Sequence, residues 1–175
     1  RKGLRLWQNS DLVPGPDDVF QERLYCIRWV ENYRDEQGRD RTRRHYRAPT
    51  GDDLQREAKV LHLLRERFDD WQAKGYIPSR RIEPGEKTDE PIRTRGRTHW
   101  HHLFNPRQLL QVGLHSSYAQ TLFRSRDQQV GSMLIIGRLV DWNSRLCRWI
   151  ADASKENGAQ TFSNQALNPL YNYYT

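Results

Sequence analysis

The chain has 175 residues, of which 29 are Lys or Arg and 22 are Asp or Glu, so its formal net charge is +7. Only 35% of the residues are hydrophobic, which is low for a compact domain. Six Trp, eight Tyr and five Phe still supply large side chains for one core, which excludes wholesale disorder. No apolar run exceeds four residues, which excludes a membrane-spanning helix, and no signal peptide pattern is present. We therefore expect a cytoplasmic protein without a membrane partner.

Arginine carries most of the positive charge, since the 29 basic residues are 24 Arg and 5 Lys. A guanidinium fork suits phosphates and base edges better than an ammonium group does, which favours a nucleic-acid partner. A GC-rich genome produces the same bias without functional meaning, so both explanations stay open. The chain begins at Arg1 and ends in a Tyr-rich stretch, so we expect residues 1 to 175 to be a fragment of a larger protein. Cys26 and Cys147 lie in hydrophobic segments and are expected to be buried thiols.

Residues 1 to 50 are predicted to form an extended N-terminal arm and a β-hairpin. The Pro-Gly-Pro sequence at positions 14 to 16 argues against a helix in the arm. Strand-forming residues are frequent from 20 to 33, a short polar turn follows, and charged and aromatic residues return from 39 to 47. A helix over residues 19 to 31 is an alternative, because apolar residues there also fit a 3.6-residue period.

Residues 51 to 76 carry the clearest helical pattern. Thr50 and Asp53 form a capping sequence, and Gly75 is expected to end the helix. Acidic and basic residues nearly balance on the polar side, which indicates a solvated outer face rather than a binding groove. Apolar residues recur every three or four positions as a stripe that faces the core, namely Leu54, Ala58, Leu61, Leu64, Phe68 and Trp71.

A long loop and a pair of helices are predicted next. Pro and Gly are scattered without a period through residues 77 to 99, which predicts an irregular, Arg-rich loop. Residues 100 to 156 are predicted to hold two packed helices, the first capped by Asn105 and the second largely buried over about residues 128 to 151. We expect the close approach of these helices to use Gly113, Gly131 and Gly137.

The last segment, residues 157 to 175, contains no charged residue and several aromatic rings. We expect it to be extended and to dock on another surface. Its Asn-Pro-Leu-Tyr sequence at 168 to 171 differs by one residue from the Asn-Pro-Pro-Tyr with which amino-methyltransferases hold a flipped adenine. The residues before it are too polar for the buried strand that normally carries this motif. We therefore predict no catalytic role for it.

Arginines at every second position, in two places, are the main nucleic-acid signal. In the predicted hairpin, such spacing lets arginines share one face and meet successive phosphates. The alternative is an exposed edge strand that charge protects from aggregation. A further arginine lies in the first turn of the helix capped by Asn105, where free amides favour anions. The candidate nucleic-acid-binding residues are Arg39, Arg41, Arg43, Arg44, Arg47, Arg93, Arg95, Arg97 and Arg107.

Histidines cluster at positions 99, 101 and 102, with His115 nearby. A zinc ion needs three or four converging ligands, and no Cys or acidic residue lies at a useful spacing. Surface or capping histidines are the favoured interpretation, and no metal site is predicted. The sequence also lacks a Gly-rich nucleotide loop, a His-Glu-x-x-His motif and a Gly-x-Ser-x-Gly motif. No complete active site is therefore predicted.

Nine short sequence patterns, spread over nearly the whole chain, carry a resemblance when they are taken together and in order. The most specific is the sequence Leu-Phe-Asn-Pro-Arg-Gln-Leu-Leu at 103 to 110. The others lie at 19 to 25, 45 to 50 with 53 to 54, 77 to 78, Trp100, 141 to 144, 146 to 149, 161 to 162 and 165 to 167. Together they resemble the central region of the adenine-specific DNA methylase family, which comprises large S-adenosylmethionine-dependent DNA methyltransferases.

The resemblance implies that the parent protein transfers a methyl group from S-adenosylmethionine to the N6 atom of adenine in DNA. In that family a cofactor-binding motif lies upstream of this region and an Asp-Pro-Pro-Tyr motif lies downstream, and neither occurs here. The chain would then be a segment within or between the methyltransferase halves. No cofactor and no catalytic residue are expected in it, and its partners are expected to be DNA and the rest of the parent protein.

We predict an α+β, mainly helical chain with an N-terminal β-hairpin, an amphipathic helix, a long loop and a pair of packed helices. Its expected function is to contact DNA or to stabilise the catalytic domain. Two alternatives stay open. One is a non-catalytic nucleic-acid-binding module in a protein that is not a methylase, and the other is a scaffold whose aromatic C-terminal segment docks on a partner chain.

Overall fold

The computed structural model describes residues 24 to 150 and 156 to 161, except for the side chains of Thr94 and Arg95. The predicted N-terminal arm and the Asn-Pro-Leu-Tyr sequence lie outside the described residues. The fold is α+β and mainly helical, which confirms the predicted class. In chain order, its elements are β1 (Ile27–Arg34), β2 (Asp40–Arg47), α1 (Gly51–Ala73), α2 (Asp89–Arg95), a 3-10 helix (Trp100–Leu103), α3 (Pro106–Leu122), α4 (Arg126–Trp142), β3 (Arg148–Ile150) and β4 (Asn157–Ala159).

The N-terminal hairpin is confirmed. β1 and β2 pair antiparallel in one continuous register of eight residue pairs. Gly38 in the turn takes a φ of 74°, a left-handed conformation that glycine adopts without steric cost. The alternative helix is wrong for residues 27 to 31, which belong to β1. The hairpin forms because this turn brings β2 alongside β1, so that their backbone groups pair across the ladder.

The first helix, α1, begins at the predicted cap. The hydroxyl of Thr50 accepts a hydrogen bond from the backbone N–H of Asp53 at 3.3 Å, and the Asp53 carboxylate accepts one from the Thr50 N–H at 2.9 Å. After the helix, Gly75 has a φ of 73° and ends it as expected. Four residues of the predicted stripe, Leu61, Leu64, Phe68 and Trp71, are buried or half-buried on the side of α1 that packs against α3 and the segments beside it. The prediction is wrong for Leu54 and Ala58, which are exposed because the first turns of α1 extend beyond these packing partners. The buried core comprises Leu64, Trp71, Ile77, Leu103, Phe104, Leu109 and Leu110.

The segment from 77 to 99 is more ordered than predicted. It contains the short helix α2, and an isolated antiparallel bridge pairs Arg81 with His99. Ile77, Ile82 and Pro91 are buried, so the segment lies against the body of the protein. These three apolar side chains are too widely spaced to give a period, which explains why pattern alone predicted an irregular loop.

The last helix, α4, is shorter and more exposed than predicted. Ser125 and Gln128 form a capping box at its start, and it ends at Trp142 rather than near residue 151. It ends where the side-chain amide of Asn143 donates to the carbonyl of Leu139 at 3.0 Å. The apolar residues after that point belong to a turn and to β3, not to a helix.

The expected burial of α4 is also wrong for its outward side, where Val130, Met133, Leu134 and Ile135 are exposed. α3 and α4 do pack together, as predicted. Gly131 and Gly137 have open space beside them, so they play no part in that packing. Gly113 does lie at a close contact between helices, but the contact is between α3 and α1 rather than between α3 and α4.

The small sheet of β3 and β4 follows and was not predicted. Beside it the thiol of Cys147 is fully buried, as expected, and lies 3.3 Å from the hydroxyl of Thr161. Cys26 is only partly buried, so the expectation of a second buried thiol is wrong. It lies just before the exposed hairpin rather than in the core. Among the helices of the described residues, none is both long and apolar enough to cross a membrane.

Candidate nucleic-acid interface

The hairpin of β1 and β2 is exposed over most of its length. Every residue of β2 is exposed, and β1 is exposed from Trp29 onward. Each strand has eight residues, which span about 26 Å at the usual rise of a strand. Because neither face is covered by the core, charged and aromatic side chains on both faces are accessible to a partner.

One face of the hairpin joins arginines to aromatic rings. Residues directly opposite each other in an antiparallel pair share a face, and the register therefore sets eight side chains together: Ile27, Trp29, Glu31, Tyr33, Arg41, Arg43, His45 and Arg47. We call this the aromatic face. The guanidinium of Arg47 lies 4.1 Å from the ring centroid of Trp29, and that of Arg43 lies 4.9 Å from the ring centroid of Tyr33. Each arginine thus lies over the ring one step diagonally across the ladder.

The opposite face carries Arg44 and is partly occupied by the chain itself. Arg28 donates to the carbonyl of Glu156, and its guanidinium lies 5.5 Å from the ring centroid of Trp149. Tyr46 donates to the Glu156 carboxylate at 3.3 Å. Burial and the negative charge of Glu156 raise the pKa of Tyr46. The aromatic face is therefore the freer of the two.

The turn contains an acidic residue that engages two of the predicted arginines. Asp35 accepts from Nε of Arg39 and from Nε of Arg41, both at 2.9 Å. Its other oxygen accepts from the backbone N–H groups of Gln37 and Arg39. The backbone N–H of Arg39 and the neighbouring guanidinium groups lower the pKa of Asp35. One negative charge thus offsets part of the positive charge at the hairpin tip.

The second predicted set of arginines does not form an alternating row. Arg93 and Arg95 lie in α2, which is a helix and not a strand, so the alternation of a strand does not apply there. Arg93 is exposed, whereas the side chain of Arg95 is outside the described part. Arg97 follows the helix and donates to the carbonyl of His102 at 3.2 Å. Among the described side chains of the two sets, Arg41, Arg43 and Arg47 share one exposed face of the hairpin.

Arg107 lies in the first turn of α3, as predicted, but its side chain is engaged by an acidic residue. It pairs with Glu57 and so links α3 to α1. At the same helix start, the N–H of Gln108 is satisfied by the side chain of Asn105 at 2.8 Å. The group predicted to attract an anion is thus engaged within the fold.

The clustered histidines are packing groups rather than the surface or capping groups expected, because His101 is buried and His99 and His102 are half-buried. The ring centroids of His101 and His102 lie 4.4 Å apart, and Phe68 contacts His101 edge-on. Burial, with the neighbouring His102 and His99, lowers the pKa of His101 to about 4. Burial and His99 likewise lower the pKa of His102, whose Nδ1 accepts from the Thr98 N–H at 3.2 Å. In the described ranges, no three His, Cys, Asp or Glu side chains are arranged to hold a metal ion.

The predicted site omitted three residues that shape this surface. The sequence pattern predicts that Trp29 and Tyr33 belong to a strand and Asp35 to a turn, but it does not identify them as partners of arginines. The signal that would have found them is the hairpin register, because a turn over residues 35 to 39 places Tyr33 opposite Arg41. A basic strand considered alone does not reveal what lies across from it.

Comparisons with known proteins add no family assignment. A scan against protein-family models, a search of curated proteins and a search of solved structures each found no match to this chain. Function is therefore inferred from the residues and their geometry, with the resemblance of the short stretches described above as a further guide.

Proposed function

We propose that the hairpin contacts DNA through its aromatic face, and that the chain is a DNA-contacting segment of an S-adenosylmethionine-dependent adenine DNA methyltransferase. The observation that supports the contact is the placement of Arg43 and Arg47 over exposed aromatic rings on a hairpin that extends from the core. Arg41 stands on the same face. Three guanidinium groups on one narrow, exposed ribbon form a surface suited to a polyanion.

The dimensions and chemistry of the ribbon agree with this function. The major groove of B-DNA admits a two-stranded β-ribbon, and arginine donates to both phosphates and guanine edges. The rings beneath Arg43 and Arg47 hold these two side chains extended, so less conformational entropy is lost on binding. The rings themselves stack on bases when a strand is unpaired.

The methyltransferase part of the proposal depends on the resemblance of the short stretches. The described residues contain no glycine-rich turn between a strand and a helix that would cradle a nucleotide-like cofactor. S-adenosylmethionine and methyl transfer are accordingly assigned to the parent protein, and this chain is assigned no chemical step.

Binding of a short duplex, measured by fluorescence anisotropy over a range of salt concentrations, tests the DNA contact. We expect affinity to fall steeply as salt rises, with a logarithmic slope of about −3 for three phosphate contacts. The double variant Arg41→Gln with Arg43→Gln should reduce the slope by about 2. The matched control, Arg34→Gln with Arg44→Gln, removes the same charge from the opposite face and should change the slope less. Absence of binding at low salt would contradict the proposal.

The parent assignment has its own test. A longer chain that includes the flanking sequence should transfer labelled methyl groups from S-adenosylmethionine to adenine in DNA, whereas the 175-residue chain should transfer none. A flanking sequence without an Asp-Pro-Pro-Tyr motif would favour the non-catalytic nucleic-acid-binding module. Methyl transfer by the 175-residue chain would restore the Asn-Pro-Leu-Tyr sequence as a catalytic candidate.

A further inference from the structure

α4 has apolar side chains on two opposite sides. Its inner side packs on α3 through the turns that contain Ser132, Ile136 and Leu139, which are buried or half-buried. On its outer side Val130, Met133 and Leu134 are 52%, 59% and 72% exposed. A helix with apolar residues on all sides is normally buried on all sides. The outer side is therefore suited to an interface.

The outer residues form a stripe along the helix. Val130, Met133, Leu134 and Gly137 follow the spacing of three, one and three residues that places side chains on one side of a helix. Gly137 is exposed, and a Cβ at its position would meet nothing within 4 Å. The stripe thus has a projecting residue, Val130, at one end and a shallow depression, Gly137, at the other.

We infer that a second copy of this chain covers the stripe, with the two α4 helices antiparallel about a two-fold axis between Met133 and Leu134. Antiparallel pairing about that point sets Val130 of each copy opposite Gly137 of the other, so each projection meets a depression. The same symmetry sets Met133 opposite Leu134 at the centre. The surface is self-complementary, as an interface related by two-fold symmetry must be.

The charges beside the stripe are complementary in the same arrangement. Asp127, Leu134 and Arg138 lie along one line of the helix, at intervals of seven and four residues. Two-fold antiparallel pairing brings this line next to the same line of the second copy. Measured along the helix axis, Asp127 then lies within about 3 Å of the level of Arg138 in the other copy. The two-fold symmetry produces this pairing twice. The Arg138 side chain is 61% exposed even while it contacts Asp141, so it remains within reach.

The oligomeric state of the 175-residue chain, measured by light scattering after size exclusion, tests the inference. We expect a dimer at about 100 µM and a monomer for Leu134→Lys. The matched control is Ile135→Lys. Ile135 is 71% exposed, close to the 72% of Leu134, but lies about 100° around the helix from it. That variant should remain a dimer.

Cross-linking tests the direction and register of the two helices. In a Cys26→Ser background, the pair Val130→Cys with Gly137→Cys should form a disulfide-linked dimer on a non-reducing gel, whereas Val130→Cys alone should not. Within one helix these positions are about 10 Å apart, which is too far for an internal disulfide.

Three results would overturn the inference. The first is a monomeric wild-type chain at the same concentration, which would leave the stripe to another segment or partner. The second is an equal effect of the two lysine variants. The third is cross-linking by Val130→Cys alone, which would indicate a different register. Circular dichroism of each variant establishes that its helices are retained.

Discussion

Gly113 of α3 lies so close to Trp71 of α1 that a Cβ at position 113 would be 2.1 Å from the Cε3 and Cζ3 atoms of the indole ring. Trp71 is itself buried and belongs to the central core. The ring therefore packs on the backbone of α3, and this contact fixes how closely the two helices approach. Since no side chain larger than hydrogen fits, the packing of α1 on α3 depends on this glycine.

Substitution of this glycine should destabilise the fold. The methyl group of Gly113→Ala would overlap the indole ring of Trp71. The resulting displacement of the two helices should lower the free energy of unfolding by about 2 kcal/mol. The loss is expected although alanine has a helix propensity about 1 kcal/mol more favourable than that of glycine. Urea denaturation of the two proteins at low protein concentration measures the difference.

The same substitution in open space is the control. Gly131 lies within α4, and a Cβ there would meet nothing within 4 Å. Gly131→Ala should therefore be neutral or stabilising by up to about 1 kcal/mol. If both alanine variants were stabilised to the same degree, the close approach of Gly113 to Trp71 would be refuted.

Neutralisation of the acidic residue in the turn should strengthen DNA binding. Asp35→Asn keeps an oxygen that accepts from the backbone N–H groups of the turn but removes the charge that faces Arg39 and Arg41. The salt-dependence slope should become steeper by about 1, and affinity at low salt should rise. The control is Asp40→Asn, which frees Arg34 on the opposite face. If Asp40→Asn changed the salt slope and the affinity as much as Asp35→Asn, the aromatic face would not be the surface that contacts DNA.

The ring below Arg47 should affect affinity without changing the charge dependence. Trp29→Leu keeps an apolar strand residue but removes the ring that lies 4.1 Å from the guanidinium. We expect several-fold weaker binding with an almost unchanged salt slope, because no charge is lost. Arg47→Gln should instead reduce the slope by about 1. Val30→Ala, on the opposite face, should leave both quantities near the wild-type values.

Acid should destabilise the protein through the buried histidines. The pKa of His101 is about 4 in the folded chain, against about 6.5 when unfolded. Between these values the unfolded chain binds the extra proton, so the free energy of unfolding falls as pH drops from about 6.5 towards 4, by roughly 3 kcal/mol at most. Above pH 6.5 this contribution is fully present. Denaturation curves at several pH values measure the slope.

Two substitutions assign that slope to its residue. His101→Gln should remove most of the pH dependence between 4 and 6.5 and leave the smaller part that comes from His102, whose pKa is also lowered. His115 is exposed on α3, and His115→Gln should leave the slope unchanged. A wild-type slope in the His101→Gln variant would place the titrating group elsewhere.

The sequence alone determined the local elements whose signals are short-range. The caps at Thr50 and Asn105 and the turn glycines Gly38 and Gly75 each depend on a few neighbouring residues, and their predictions were confirmed. The hairpin and α1 follow from these signals together with hydrophobic period. The Ser-x-x-Gln sequence at 125 to 128 is a capping-box pattern of the same kind and indicates the start of α4.

Tertiary structure decided which side chains share a surface. Periodicity identified the apolar residues of α4 but not that one side of it would remain exposed, because burial depends on what packs against the helix. It identified the arginines of β2 but not the rings of β1 beneath two of them, since cross-strand neighbours are set by register. The sequence also marked Gly113 as a point of close approach, but between α3 and α4. Only the packed core shows that the residue next to Gly113 is Trp71 of α1, which lies far away in the sequence. Local propensity acts over a few residues, whereas these contacts form only when distant parts of the chain are brought together.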